Sequence, residues 1–271
     1  MPAHYPERVV CLTEESTETL YLLGEERRIV GISGYTVRPP RARREKPRVS
    51  AFLSAKTEKI LGLKPDLVIG FSDLQADIAR DLAKAGLNVL IFNQRSVDEI
   101  LSMILALSSL IGKADKGAVL VRDLEDGLER IRKQARTFPR RPRVYFEEWD
   151  EPMISGIRWV SELIEVAGGE DVFSEQSRSQ AAAGRIIKDP NEVVARQPEV
   201  ILGSWCGKKF RPERVAARPG WQQISAVREN QLFEIKSADI LQPGPAALTD
   251  GIRRIHAILG DYLKRFSGRG S

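Results

Sequence analysis

The sequence predicts an α/β protein made of two βα lobes with parallel sheets, joined by one long helix. Three observations support this fold class. Short β-branched runs alternate with amphipathic stretches along the 271 residues, as in parallel sheets covered by helices. Two stretches, EKILGLKPDLVIG and NEVVARQPEVILG, nearly repeat each other at residues 58–70 and 191–203. Between them, residues 113–138 keep a helical pattern, and a helix of about 24 residues spans about 36 Å.

The predicted lobes cover residues 1–112 and 139–271, with the linking helix over 113–138. In the first lobe, four runs are predicted as strands: RVVCL, IVGI, DLVIG and NVLIF, at residues 8–12, 29–32, 66–70 and 88–92. The stretch SDLQADIARDLAKAGL has apolar residues at helical spacing and ends at Gly86, a residue suited to a helix stop. The next stretch, SVDEILSMILALSSLIG, begins with a capping box of Ser96 and Glu99.

The linking helix is predicted from one apolar face on a densely charged stretch, formed by Val121, Leu124, Leu128, Ile131 and Ala135. We expect a rigid connection there. The alternation then restarts, with strands predicted at RVYFE, EVILG and LFEI, residues 143–147, 199–203 and 232–235. Helices are predicted at residues 158–169 and 246–266. Within the first of these, Trp159 has the helical spacing of a core residue.

The composition is that of a globular protein with a hydrophobic core, since 42% of the residues are hydrophobic and 29% are charged. No run approaches the roughly 18 apolar residues that a membrane-spanning helix needs. The net charge of +5 is concentrated at residues 38–48 and 132–143, which lack the interleaved aromatic residues of a nucleic-acid groove. We expect solvated loops there, with attraction of an anionic partner as the alternative, no nucleic-acid partner and a monomer.

The chain as written begins without an export signal, which predicts a cytoplasmic protein. If a leader has been removed, a periplasmic or cell-surface location is expected instead. The segment Met1-Pro2-Ala3 resembles a native start and favours the first interpretation. Two cysteines, Cys11 and Cys206, are too few for a disulfide framework, and Cys11 is expected in the core.

The repeated stretches predict a binding site. In each, a short helix ends before a proline, because the residue preceding proline is disfavoured in the α region, and a buried strand follows. Ligands of open α/β sheets bind beyond the carboxyl ends of the strands. The loops that follow, FSDLQ at 71–75 and SWCGKKF at 204–210, are therefore expected to face one cleft between the lobes.

Taken together, the runs RVVCL, LLG, IVGIS, KPDLVI, AGLNVLIFN, ISGIRWVSELIEVAGGEDVF and PEVIL resemble a known family. It is the class of ABC-transporter substrate-binding proteins that carry vitamin B12, iron–siderophores or haem. The resemblance covers residues 8–263. It implies two Rossmann-like lobes joined by a long helix, with little hinge closure when the ligand binds.

By resemblance to members that bind B12, aromatic side chains from both lobes are expected to hold a corrinoid, with no catalytic cofactor. The expected ligand-binding residues are Tyr35, Phe52, Phe71, Trp149, Trp205 and Cys206, the last as a cobalt-facing thiol. The position of Phe52 matches a tryptophan of the B12 binders. Stacking on a flat macrocycle can supply affinity without charge pairing. The alternative is that these aromatic residues cap the hydrophobic cores at the strand ends.

Two other ligands of the class stay open. An iron–siderophore would need charged groups, for which Arg38, Arg41, Arg185 and Lys208 are candidates. Haem would need an axial tyrosine or histidine, and Tyr35 is better placed in the predicted fold than His4 or His256. No resident metal site is predicted.

The family also implies a glutamate on each lobe, seven residues before the proline, that docks on the permease. Glu58 fits this position, but Asn191 occupies the second, and the adjacent Glu192 is the nearest candidate. A shift by one helical residue turns a side chain by about 100°. The structural alternative is that Asp189 caps this helix with Pro190 at its first position.

An enzyme is not expected. The chain has no G-x-S-x-G, Walker A or G-x-G-x-x-G motif. A tetrapyrrole metal chelatase is the alternative from another class, since such enzymes can share a two-lobed α/β shape. Chelatase chemistry calls for acid–base groups in the cleft, and the two histidines are poorly placed for it. An interaction protein without a small ligand is a further alternative.

Overall fold

The computed structural model describes residues 4–266. Residues 1–3 and 267–271, which include the segment Met1-Pro2-Ala3 and the outer ends of both predicted lobes, lie outside the described residues. The chain separates into two compact units. The first holds the residues up to Gln94 together with Asp98–Leu124, and the second holds Arg95–Val97 and the residues from Glu125 onwards. Each unit contains a five-stranded sheet.

The first unit has a fully parallel sheet, which confirms the predicted fold class for this half. Its strands are β1 Val9–Cys11, β2 Ile29–Ser33, β3 Arg48–Ser50, β4 Leu67–Phe71 and β5 Val89–Phe92. They lie in the order β3-β2-β1-β4-β5, and every neighbouring pair is parallel. The chain therefore enters at the central strand, builds one side of the sheet, and then crosses to the other side.

The helices of this half are α1 Glu14–Leu22, α2 Ala42–Glu45, α3 Thr57–Gly62, α4 Ala76–Lys84 and α5 Val97–Leu110, followed by α6 Ala114–Ala135. Helix α6 contains the boundary between the units, between Leu124 and Glu125. Val121, Leu124, Leu128 and Ile131 of its predicted apolar face are buried. No helix within residues 4–266 combines the length and apolar character needed to cross a membrane.

The second unit has a mixed sheet, in the order β10-β9-β6-β7 with β8 also paired to β6. Its strands are β6 Arg143–Asp150, β7 Met153–Ser155, β8 Glu170–Asp171, β9 Val200–Gly203 and β10 Leu232–Glu234. Strand β7 runs antiparallel to β6, whereas the other pairs are parallel. The predicted all-parallel sheet therefore needs a correction at this strand. Only Glu151 and Pro152 separate β6 from β7, and such a short connection can join only antiparallel neighbours.

Seven α-helices are described in the second unit after α6: α7 Arg158–Val166, α8 Ser174–Ser177, α9 Asn191–Arg196, α10 Pro212–Ala216, α11 Ser225–Arg228, α12 Ser237–Ile240 and α13 Ile252–Phe266. A turn of π-helix, Ala247–Gly251, leads into α13. The core of this unit is rich in aromatic residues, with Tyr145, Phe173 and Trp221 fully buried. Trp159, assigned to the core from its spacing, is 3% exposed, and its Nε1 donates to Ile240 O.

Candidate functional site

The loops that follow strands β1 to β4 form the carboxyl edge of the first sheet, and this edge is the candidate binding surface of the first unit. Strands β1 and β4 are neighbours, but the chain leaves them towards opposite sides of the sheet. Such a switch point is where α/β sheets bind ligands. The residues next to it are Thr13, Glu14 and Glu15 after β1, and Ser72 to Gln75 after β4.

Three buried glutamates stand at the start of helix α1. Glu14, Glu15 and Glu18 are 4%, 2% and 8% exposed. The Val37 amide donates to Glu14 Oε2 at 2.7 Å, and Thr13 Oγ1 donates to Glu15 Oε1 at 2.6 Å. Arg38 Nε donates to Glu18 Oε1 at 3.0 Å. The other oxygens of the first two, Glu14 Oε1 and Glu15 Oε2, are buried without a hydrogen-bond partner in the described structure.

Burial sets the protonation of this cluster. It raises the pKa of Glu14 to about 8, against the lowering effect of the Val37 amide bond, and the neighbouring glutamates add to the rise. Burial likewise raises the pKa of Glu15 to about 7, opposed by the hydrogen bond from Thr13. Taking a carboxylate out of water disfavours its charged form. Near neutral pH, this edge can therefore both donate and accept hydrogen bonds.

Large apolar side chains are exposed in three successive loops of the same edge. Tyr35 after β2 is 61% exposed, Leu53 after β3 is 68% exposed, and Leu74 after β4 is 59% exposed. The carboxyl ends of parallel strands lie along one edge of a sheet, so all three loops leave the same edge, and those after β2 and β3 follow adjacent strands. The Gly34 amide donates to Ser50 O at 2.7 Å, which joins the first two loops directly.

A buried glutamine joins the second and third loops. Gln75 is 0% exposed; its Oε1 accepts from the Phe71 amide and its Nε2 donates to Phe52 O, both at 2.9 Å. Phe52 is half-buried, whereas Phe71, the last residue of β4, is 7% exposed. The structure therefore brings Phe52 and Phe71 to one place through Gln75. The burial of Phe71 fits the core alternative, and a site role for it stays a prediction.

In the second unit, Trp149 lies at the carboxyl end of β6, and Trp205 follows β9. The ammonium of Lys208 lies 4.1 Å from the Trp149 ring centroid and 5.1 Å from that of Trp205. Lys208 also forms an ion pair with Asp150. The Trp149 indole is half-buried, and its Nε1 donates to Glu151 O at 2.8 Å. The two predicted tryptophans are thus brought together around one lysine.

Trp205 is hydrogen-bonded to the buried carboxylate of Glu147. It is 3% exposed and packs edge-on against Phe210, with ring centroids 5.0 Å apart. Its Nε1 donates to Glu147 Oε1 at 3.1 Å. Glu147, 0% exposed, also forms an ion pair with Arg218 and accepts from Tyr145 OH. This burial fits the core alternative for Trp205, and a site role for it stays a prediction. Cys206, the next residue, is exposed, while Cys11 is buried.

The four cations proposed for an anionic chelate are all paired with carboxylates. Their partners are Glu18 for Arg38, Glu26 for Arg41, Glu148 for Arg185 and Asp150 for Lys208. Arg185 is 2% exposed. His256 stacks on Phe138, and its Nδ1 lies 3.0 Å from Ala167 O. Among the described residues, no group of three or more His, Cys, Asp or Glu side chains could hold a metal ion.

The predicted docking residues stand in the first turns of two short helices. Glu58 in α3 is exposed, and Glu192 in α9 is half-buried. Asp189 Oδ1 accepts from the Asn191 amide at 2.9 Å, so this aspartate does cap the start of α9. Pro190 directly precedes the helix.

The sequence reasoning missed Glu14, Glu15, Gln75 and Glu147. One signal could have found the first two: the pair Glu14-Glu15 stands one residue after the apolar run VVCL, just beyond a predicted strand end. Gln75 and Glu147 carry no such signal. Their importance comes from contacts with Phe52 and Arg218, which are distant in sequence.

A family model described as periplasmic binding protein matches residues 9–238. Among similar proteins, the vitamin B12-binding protein of Vibrio cholerae serotype O1 is 28% identical over 260 residues, which cover 92% of this chain and 87% of that protein. An uncharacterized ABC transporter substrate-binding lipoprotein of Bacillus subtilis is 24% identical over 269 residues, covering 96% of this chain and 82% of the other.

Among solved structures, the periplasmic vitamin B12-binding protein of Vibrio cholerae aligns with a TM-score of 0.75 at 25% identity, covering 96% of this chain and 98% of that one. The periplasmic haem-binding protein of Roseiflexus sp. RS-1 aligns with a TM-score of 0.76 at 24% identity, covering 93% and 99%. The second likeness shows the fold alone.

Proposed function

Because this chain belongs to the periplasmic binding protein family, we propose that it binds a corrinoid, cobalamin or a related compound, without catalysing a reaction on it. The observation that carries the proposal is the set of exposed apolar side chains Tyr35, Leu53 and Leu74 along the carboxyl edge of the first sheet, the edge that contains its switch point. Exposed apolar groups clustered at such a place are typical of a binding surface. The Vibrio cholerae proteins, whose names state B12 binding, support the same ligand.

The charges beside this surface favour a corrinoid over haem or a ferric siderophore. A corrin carries carboxamide groups around its rim, whereas haem carries carboxylates. Glu14 and Glu15 bring no positive charge to this edge, and whichever of them is ionised would repel a ligand carboxylate, whereas a carboxamide is neutral. Arg38 and Arg41, which could receive a ligand carboxylate, are already paired with glutamates.

Titration with a panel of ligands tests the proposal. We expect hydroxocobalamin and cobinamide to bind with 1:1 stoichiometry and to change the visible absorbance. Haemin and a ferric hydroxamate siderophore, examined in parallel, should bind more weakly. If neither corrinoid binds, and haemin or the ferric siderophore binds saturably, the corrinoid assignment is refuted. Metal insertion into a metal-free tetrapyrrole would instead identify a chelatase-like enzyme.

Haem binding is the second candidate. Tyr35 is 61% exposed at the edge of the first sheet, and a tyrosine phenolate is an established axial ligand of haem iron. If the chain binds haem, haemin should change its visible absorbance spectrum on binding to the wild-type protein, and the Tyr35→Phe variant should not show this change.

Delivery to an ABC-transporter permease is part of the proposal. Glu58 is the exposed carboxylate suited to dock, while Glu192 is half-buried and one residue away from the family position. The docking role of both residues, the cleft between the lobes and the placement of Cys206 towards cobalt stay predictions. The affinity of the Glu58→Ala variant for a permease would decide the first of them, and an unchanged affinity would count against it.

A further inference from the structure

A cavity of about 580 Å³ lies in the second unit. Its wall comes from the connection between β6 and β7, from the segment before α9, and from α10 with the loops around it. The lining residues are Asp150, Glu151, Pro152, Met153, Ile186, Ile187, Lys188, Pro190, Trp205, Arg214 and Arg218. Cavities of roughly 300–1,000 Å³ are the usual size of small-molecule sites.

One side of the cavity is apolar and rigid. Met153, Ile187 and Trp205 are 8%, 4% and 3% exposed, so their side chains are fixed by core packing. The indole of Trp205 offers a flat surface, and its only N–H is already donated to Glu147. This side therefore suits an apolar or aromatic body.

Glu147 also fixes the guanidinium of Arg218 at the cavity. The Arg218 Nη2 donates to Glu147 Oε1 at 3.0 Å, and Arg218 Nη1 donates to Glu147 Oε2. The guanidinium carbon lies 4.6 Å from the Trp221 ring centroid. One buried carboxylate thus holds two walls of the cavity, Arg218 and Trp205, and preorganised groups of this kind are typical of binding sites.

The charge around the cavity is not balanced by its own pairs. Arg218 is paired with Glu147, and Asp150 is paired with Lys208. Lys188 and Arg214 are exposed, and neither has a salt-bridge partner within residues 4–266. Among the charged lining residues without a salt bridge in the described chain, two are cations, Lys188 and Arg214, and one is a carboxylate, Glu151. The cavity therefore favours a negatively charged group.

We infer that this cavity binds an organic anion, with a carboxylate or phosphate group held by Lys188 and Arg214 and an apolar body packed on Trp205 and Met153. The inference goes beyond the proposed function, because it assigns a charge class to this cavity whichever macrocycle the chain carries. The anion has two possible sources: a free small molecule, or an anionic substituent of a larger ligand. Both present the same chemistry to the two cations.

Phenyl phosphate tests the inference directly, with phenol as its uncharged control, by isothermal titration calorimetry. We expect phenyl phosphate to bind and phenol not to bind. The double variant Lys188→Ala/Arg214→Ala should bind phenyl phosphate about tenfold more weakly or worse, since it loses charge-assisted hydrogen bonds. Both substituted residues are exposed, so the fold should be retained, and circular dichroism checks this.

The matched control is Lys209→Ala/Arg211→Ala, which removes the same two charges from exposed positions outside the lining. Because neither residue lines the cavity, this control should weaken binding by less than about twofold. Absence of phenyl phosphate binding to the wild-type protein would overturn the inference. Equal losses in the two double variants would also overturn it, because they would reflect net charge alone.

Cobalamin and cobinamide distinguish the two sources, since cobalamin has a phosphodiester that cobinamide lacks. If the corrinoid carries the anion, Lys188→Ala/Arg214→Ala weakens cobalamin and not cobinamide. If the anion is a free molecule, the variant weakens phenyl phosphate only. A protein that binds phenyl phosphate but no corrinoid refutes the proposed function and keeps this inference. The reverse result keeps the proposed function and refutes the inference.

Discussion

At the residue scale, the unusual feature is how deeply the chain buries carboxylates that its sequence displays as ordinary polar residues. Glu14 and Glu15 begin α1, two residues after the end of β1, and Glu147 lies inside β6. Each is at most 4% exposed. Glu147 is compensated by Arg218, whereas Glu14 and Glu15 have no salt bridge in the described chain. Their burial should therefore appear as a pH dependence of stability.

Substitution Glu14→Gln should change that pH dependence. Burial raises the pKa of Glu14 from 4.5 to about 8, so between these values the folded state keeps a proton that the unfolded chain has lost. This group therefore stabilises the folded state most below pH 4.5, and the contribution is lost as pH rises towards 8. Glutamine does not ionise and can still accept from Val37, so the variant should gain stability relative to the wild-type protein, by about 1–3 kcal/mol, as pH rises from 5 to 9.

Urea denaturation at pH 5, 7 and 9 measures this difference. Glu58→Gln, an exposed glutamate of the same unit, is the control and should follow the wild-type curve. A slope should persist in Glu14→Gln, because Glu15 also has a raised pKa, of about 7. Parallel curves for Glu14→Gln and the wild-type protein would show that Glu14 does not titrate in this range.

Individual side chains were the hardest features to predict from the sequence. The predicted aromatic residues lie in or next to strand ends, but their exposure differs widely. Tyr35 is 61% exposed, whereas Phe71 and Trp205 are 7% and 3% exposed. Exposure depends on neighbours that are distant in sequence, such as Phe210 and Glu147 against Trp205. A Trp205→Ala variant should consequently lose stability, by about 3–5 kcal/mol, so a loss of ligand binding in it would not identify a stacking residue.

At the element scale, the strands with clear β-branched runs were predicted well, and the failures have identifiable causes. Helix α1 was not placed individually, because most residues of Glu14–Tyr21 are polar although all are buried, so the sequence does not mark an apolar and a polar face. Strands β3, β7 and β8 are two or three residues long. Strands of this length contain too few residues to show the alternation of apolar and polar side chains by which a strand is predicted.

The repeated stretches show the opposite, a local rule that the structure follows closely. Helices α3 and α9 end at Gly62 and Arg196, and the strands β4 and β9 begin shortly after the prolines. Lys64 and Gln197, the residues before these prolines, adopt φ values of 47° and 44°. Both leave the right-handed α region, as the residue before a proline is expected to do, but they enter the left-handed region rather than the extended one.

Gln75 connects the loop after β3 to the loop after β4. A Cβ at Gly70 would lie 2.6 Å from Gln75 Oε1, so the absence of a side chain at Gly70 makes room for this glutamine. The Gln75→Met variant keeps the length of the side chain but loses both hydrogen bonds, to Phe71 and to Phe52. We expect it to lower the free energy of unfolding by about 1–3 kcal/mol. Amide exchange at Phe71 should accelerate, because its N–H loses its acceptor.

Hydrogen exchange followed by NMR measures the Phe71 amide, and urea denaturation measures the stability. Gln134→Met, on the exposed side of α6, provides a control that should change neither. If Phe71 stays protected in Gln75→Met, the glutamine does not hold this loop. A loss of corrinoid affinity larger than the loss of stability explains would mark Gln75 as a positioning residue for the binding surface.

At the scale of the whole molecule, the family resemblance read from short motifs is confirmed, as is the α/β fold class with its repeated βα pattern. The family motifs and the βα pattern are short, local features of the sequence that recur along the chain. Many weak indications therefore support the same fold and family. The ligand is different, because it is selected by a few side chains from several loops. Here Tyr35, Leu53 and Leu74 come from three separate loops, and no spacing rule connects them.

The last prediction concerns a single ligand that contacts both units. If a corrinoid is held by loops of the two sheets together, Tyr35→Ala in the first unit and Trp149→Ala in the second should each weaken binding, by about 1–3 kcal/mol. Both side chains lie at the carboxyl ends of strands and are exposed or half-buried, so little stability should be lost. Leu105→Ala, 39% exposed on α5, is the control. Affinity is measured by the absorbance titration, and thermal melting at about 100-fold excess over Kd should show about 2.7 kcal/mol of stabilisation for the wild-type protein. An effect of Tyr35→Ala with none of Trp149→Ala would contradict the role predicted for Trp149, because a contact that contributes to affinity must cost affinity when it is removed.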